Sequence, residues 1–163
     1  METEMMLTSA EPGEDNHFLA KHVQLLRTSF HRLTGRELVN AALDDIEAAR
    51  EVFHAPCVIV SHDTASDPIF NYANKMALRL FDMTWDEIIT LPSRKSAEMP
   101  DREERARLLA EVTTHGFIDN YSGVRISKSG QRFLIEQATV WNLVDEDGVY
   151  RGQAATFSHW KFL

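Results

Sequence analysis

The sequence predicts an α+β fold in which a C-terminal antiparallel meander is packed by helices that precede it. Three observations predict this. The runs Phe117–Ile126, Arg132–Leu143 and Val149–Trp160 are rich in β-branched and aromatic residues. They are separated by Lys128-Ser129-Gly130 and Asp145-Glu146-Asp147-Gly148, the residue types of hairpin turns. The first half of the chain carries helix-spaced apolar stripes that can cover a sheet too small to stand alone.

Taken in order, Met1–Glu14 reads as a disordered tail closed by Pro12-Gly13. Asp15 or Asn16 can cap a helix to about Leu33, with Leu19, Val23, Leu26, Phe30 and Leu33 on one stripe. Thr34-Gly35 interrupts it, and a second helix is expected over Glu37–His54. Residues 15–54 thus form an N-terminal helical extension, and 55–163 the main domain. Ala55-Pro56 ends the helical region. Cys57–Ser61 and Ile69–Tyr72 read as two short strands. Asn74 can cap a helix over Lys75–Phe81, and Thr84-Trp85-Asp86-Glu87 has the form of a capping box. Ser93–Met99 is polar and irregular, Asp101 caps Arg102–His115, and Gly116 stops it. The expected product is a five-stranded antiparallel sheet with short helices on one face.

Composition bounds the function. The 163 residues suit one domain with appendages. A net charge of −8 speaks against a nucleic-acid partner, whose phosphates are bound by basic residues. Cys57, the sole cysteine, excludes an internal disulfide and multi-cysteine metal sites. The N-terminus lacks the features of a signal peptide and no apolar run reaches membrane-span length. A cytoplasmic protein with no membrane partner is expected.

The order of two strands, short helices, one longer helix and a three-stranded meander is that of PAS domains. His17–Leu26 (HFLAKHVQLL), Leu91–Glu98 (LPSRKSAE), Tyr121–Asn142 (YSGVRISKSGQRFLIEQATVWN) and Gly152–Trp160 (GQAATFSHW) carry the resemblance further. Through these segments the chain resembles the MEKHLA domain, a PAS-like family. That family occurs in stand-alone bacterial and algal proteins and at the C-terminus of plant class III homeodomain–leucine zipper proteins. The chain shows no homeodomain or zipper, so a stand-alone, bacterial-type member is expected. The resemblance implies a sensory or interaction role and no defined reaction.

Strand alternation assigns candidate site residues. In a PAS-like register, Tyr121, Gly123 and Arg125, then Glu136, Ala138 and Val140, then Ala154 and Thr156 face a cavity. Arg125 and Glu136 then either close the cavity as an ion pair, anchor a small polar organic ligand, or face solvent. Ser93 and Arg94 lie in a stretch able to bind an anion, and Trp85 stands in a neighbouring helix. The opposite sheet face would carry Ile135, Gln137, Thr139, Trp141, Gln153, Ala155 and Phe157. The N-terminal stripe would cover it, in cis or across a homodimer. Flavin photochemistry of the PAS type needs a cysteine in the helical segment, and haem an axial ligand on the long helix. Neither cofactor is expected, nor is a metal site. No catalytic motif stands out; a curved-sheet isomerase using Glu136 as base is the enzyme alternative. The expected protein is a sensory or interaction module working through a separate signalling partner, with a ligand-free dimerisation or scaffolding module as the alternative.

Overall fold

The computed structural model describes residues 10–163; most of the expected tail, 1–9, lies outside them. A 3-10 turn at Glu14–Leu19 leads into α1 (Ala20–Thr34), followed by α2 (Asp45–Phe53). Strands β1 (Val58–His62) and β2 (Phe70–Ala73) precede the short helices α3 (Lys75–Phe81) and α4 (Trp85–Ile88). A 3-10 turn at Ser93–Ser96 then enters α5 (Met99–His115). The chain ends in β3 (Phe117–Ile126), β4 (Arg132–Val144), β5 (Tyr150–Phe157) and a short β6 (His159–Phe162).

The antiparallel sheet runs β2-β1-β5-β4-β3, and β6 adds to β4 beyond the end of β5. The expected strand at Val149–Trp160 is therefore two, broken at Ser158. β5 borders β4 over Thr139–Val144 and β6 borders it over Phe133–Glu136. The second helix is also shorter than the expected Glu37–His54. Asn40 accepts a hydrogen bond from the Ala42 N–H through its side chain and from Leu43 through its carbonyl. Such a local turn competes with helix, and α2 begins only where the Asp44 carboxylate accepts from the Glu47 N–H. The long helix starts earlier than Asp101: Glu98 is its N-cap and Pro100 sits in its first turn, where a missing N–H costs nothing.

Each sheet face has its own core. On the outer face Val23, Leu26 and Phe30 of α1 and Val52 and Phe53 of α2 pack on Ile59, Tyr72, Trp141 and Leu143. The Phe30 and Trp141 rings meet edge-on at 4.8 Å. The N-terminal stripe thus covers the outer face in cis. On the inner face, Val58, Val60, Phe133, Ile135 and Phe157 pack against Ala77, Leu80 and Phe81 of α3. Farther along that face, Leu108 and Val112 of α5 sit on Val140.

Asn74 joins these layers. Its side chain is fully buried; Oδ1 accepts from the N–H groups of Ile59 and Ala77, and Nδ2 donates to the carbonyls of Val52 and Cys57. One amide thereby caps α3 and satisfies the ends of α2 and β1. Asn74→Ala strands several buried backbone groups and is expected to cost roughly 3–5 kcal/mol in urea unfolding. Asn74→Asp keeps the cap but cannot donate to the two carbonyls, so it should also lose stability; an Asp variant as stable as the parent would contradict this account.

Candidate functional site

The inner face holds a cavity of about 70 Å³, partly open to solvent, between the sheet and α5. Most of its wall is apolar, including Phe81, Leu108, Ile135, Val140 and Phe157. Arg105, Arg125, Tyr121, His62, Gln153, Ser61 and Ser96 supply its polar groups.

Arg125, 7% exposed, comes from β3. Its Nη1 donates to the Val124 carbonyl and its Nη2 to the Tyr121 hydroxyl, and the guanidinium lies 5.6 Å from the Tyr121 ring centre. That hydroxyl donates in turn to Glu104 Oε1 at 2.9 Å. Burial raises the Tyr121 pKa, which keeps the phenol protonated for this role. Gly123 makes the arrangement possible, because a Cβ there would fall 2.1 Å from the Tyr121 oxygen.

Arg105 reaches in from α5 and donates through Nη2 to Ser93 Oγ at 2.8 Å. Ser93 Oγ lies 3.3 Å from His62 Nδ1, and His62 Nε2 lies 3.3 Å from Gln153 Oε1. Gln153 spends its amide N–H groups on the Leu109 carbonyl, the Thr113 hydroxyl and Asn142 Oδ1. Since Gln153 Oε1 can only accept, the neutral His62 tautomer with hydrogen on Nε2 satisfies the chain, and Ser93 donates to Nδ1. A continuous polar relay therefore runs from Arg105 to α5 and β4.

The sequence-based assignments fare differently by residue. Tyr121 and Arg125 line the cavity together with Ala138, Val140 and Ala154. Glu136 does not: it lies beside Lys161 at 3.6 Å, and Arg125 pairs in register with Phe133. The expected Arg125–Glu136 pair is not formed. Thr156 is also off the wall, its hydroxyl contacting Cys57 Sγ at 3.8 Å. Conversely Ile135, Gln153, Ala155 and Phe157, expected on the outer face, line the cavity. For Glu136 and Ile135 the cause is a bulge: Gln137 takes φ 57°, and Glu136 and Gln137 occupy the space between Ala138, opposite Tyr121, and Ile135, opposite Gly123. One extra residue inverts the alternation along β4. β5 is offset too, because Ala155 pairs with Val140 and Ala154 with Trp141.

Ser93 is buried and reaches the cavity through Arg105, whereas Arg94 is exposed and forms a two-bond fork with Asp67. Trp85 is buried against Tyr72 in the outer cluster, away from the cavity. Sequence reasoning missed Arg105, His62 and Gln153 as site residues. Arg105 did leave a signal: with Leu108, Leu109 and Val112 it completes an i, i+3, i+4, i+7 stripe, where an arginine is out of place.

Burial, and then the Arg105 cation, lower the His62 pKa from 6.5 to about 4, against weaker raising effects from Gln153 and Asp63. On the outer face His22 is likewise lowered to about 4 by burial, its ring stacked on Tyr72 and bonded to Ser61 Oγ at 2.9 Å. The unfolded chain binds these protons near pH 6.5 and the folded chain only near 4, so stability falls as pH drops through that window. Between about pH 7 and pH 5 each histidine should cost roughly 2 kcal/mol, read from denaturation midpoints. His62→Gln should flatten part of this slope, and an unchanged slope would mean that His62 charges freely in the fold.

A family model described as the MEKHLA domain matches residues 20–162. Homeobox-leucine zipper protein ATHB-14 of Arabidopsis thaliana is 26% identical over 100 residues, 61% of this chain. Homeobox-leucine zipper protein HOX29 of Oryza sativa subsp. indica is 26% identical over 129 residues, 77% of this chain. This chain spans only 12% and 15% of those relatives. Among solved structures, a PAS domain from Colwellia psychrerythraea superposes with a TM-score of 0.59 at 18% identity, covering 68% of this chain and 91% of that one. An RNA-binding light-oxygen-voltage receptor gives 0.60 at 20% identity, covering 77% and 34%. The light-state dimer of the fungal blue-light photoreceptor Vivid gives 0.53 at 17%, covering 93% and 97%. Sheet order, helix placement and the family match agree: this chain belongs to the MEKHLA domain family and has a PAS-like fold.

Proposed function

We propose that this MEKHLA domain is a sensory module whose cavity takes a small polar organic ligand and whose N-terminal helices report its presence to a separate protein. The observation that carries this reading is the two-sided use of the central strands. On β5, Gln153, Ala155 and Phe157 border the cavity, and Ala154, also at its margin, packs in the outer cluster with Phe30 and Trp141. On β1, His62 and Ser61 both border the cavity, and the Ser61 hydroxyl also bonds to His22 of α1. A ligand that favours one packing of the inner wall therefore has a short mechanical route to α1, and such a route supports a population shift between discrete arrangements.

A ligand-free interaction module is the second reading. It is favoured by the cis cover on the outer face, which already gives α1 and α2 a structural task. Vivid forms a light-state dimer, and a homodimer built on the outside of these helices fits either reading. The isomerase alternative loses its base, since Glu136 stands off the cavity beside Lys161. The plant relatives support no nucleic-acid partner here, given the small share of their length that is matched and the charge of −8. Among the described residues, no helix is long and apolar enough to cross a membrane.

Native mass spectrometry of the purified protein tests the proposal. The expected result is an adduct that disappears on denaturation and is lost in Arg125→Ala, with an unchanged circular-dichroism spectrum. A clean apo mass at the dimer, unaltered by added cell extract metabolites, would favour the interaction module instead.

A further inference from the structure

Two arginines share the small cavity, and the charge there is unbalanced. Arginine stays protonated in proteins, and although burial and the neighbouring Arg125 lower the Arg105 pKa to about 10, it remains a cation at neutral pH. Among the described residues no carboxylate lies within ion-pair distance of either guanidinium. Glu104 is reached only through the Tyr121 hydroxyl. Ser93 takes one N–H of Arg105, and the other contact groups are the carbonyl of Val124 and the phenol of Tyr121, both on Arg125. A guanidinium has five N–H donors, so both groups keep donors for a further acceptor. Partly buried cations without a counter-ion are costly, and an anion in the cavity offsets that cost.

The rest of the wall limits what the anion can be. Beyond the arginines, Tyr121, His62 and Gln153, it is formed mostly by aliphatic and aromatic side chains. His62 and Gln153 already satisfy one another and the relay to α5. A second charged end would therefore find no cation. The volume is about 70 Å³, around half of the ~150 Å³ that holds a benzene molecule. That leaves space for a handful of heavy atoms.

We infer that the cavity binds a short-chain aliphatic monocarboxylate, its carboxylate held by Arg105 and Arg125 and its alkyl part against the apolar wall. This rests on the cavity being a ligand site and names the class of ligand. The planar fork of arginine matches a carboxylate, and charge-assisted bonds of this kind are the stronger ones. Ser93 positions Arg105 through Nη2, and Tyr121 positions Arg125 through its hydroxyl.

The test is calorimetric titration and thermal melting of the intact protein with sodium propionate. Propionamide serves as the neutral isostere and sodium nitrate as the control for general anion effects. Propionate should bind saturably and raise the melting temperature, and the other two should not. Arg105→Gln and Arg125→Gln should each weaken binding by about tenfold or more, while Arg94→Gln, off the cavity, should leave it unchanged. If a Gln variant does not fold, the corresponding Lys variant replaces it; it keeps the charge, loses the fork and should bind propionate more weakly than the parent. Equal binding of propionamide, equal shifts with nitrate, or undiminished binding by the arginine variants would each overturn the inference. An adduct of a different chemical class in native mass spectra would overturn it and leave the sensory reading standing. No binding of any small molecule, with a clean apo mass, would remove both.

Discussion

The extra residue in β4 decides which side chains meet the cavity. Before Gln137, Phe133 and Ile135 face inward; after it, Ala138 and Val140 do, and Trp141 turns to the outer helices. Without the bulge, Ile135 and Trp141 would share a face, because they are an even number of residues apart. One side would then lose part of its core and the other would gain an indole that it cannot seat. Gln137 pays for this with a positive φ, which a long L side chain tolerates poorly. A second compensation lies across the sheet, where Asn120 also takes a positive φ in the irregular stretch of β3 between Ile118 and Tyr121. Together these irregularities let a sheet with two buried faces serve a polar cavity on one side and an aromatic core on the other.

The polar groups of the site follow from that geometry. Tyr121 stands opposite Ala138, whose small side chain leaves it room, and it folds back over Gly123 to meet Arg125. Gln153 stands opposite Asn142, so the same register that buries it also gives it a partner. His62 closes the network from β1, where its own carbonyl lies so near Gly152 that a Cβ there would fall 2.0 Å away. The site is thus assembled from strands distant in sequence but locked together by backbone pairing.

Much of the fold was legible because its signals are local. The run Lys75–Phe81 was bounded by Asn74, and Thr84 with Glu87 forms the capping box that their spacing implies. The meander was legible from its turn residues. The failures had non-local or competing causes. Val39, Ala42 and Leu43 follow a helical spacing, yet the Asn40 turn holds that segment out of the helix. Glu136 was misplaced because a bulge at a glutamine leaves no compositional trace, and Thr156 because the β4–β5 register shifts between Leu143 and Val144. Arg105 was readable in principle, as a cation interrupting an apolar stripe, but its helix is so charged that the anomaly is diluted.

The strand order has a further consequence for how the chain reaches this state. At the centre of the sheet β1 pairs with β5, Val58 against Phe157 and His62 against Gln153. Nearly the whole domain lies between these partners, and closing so long a loop must precede any return from the contacts it creates. During synthesis β1 and β2 emerge as a lone hairpin, marginal by itself, and wait for the last strands before the sheet can close. Until then α1 and α2 have neither Trp141 nor Ala154 to pack on. The nascent chain therefore carries an exposed apolar helix pair until almost all of this domain has left the ribosome.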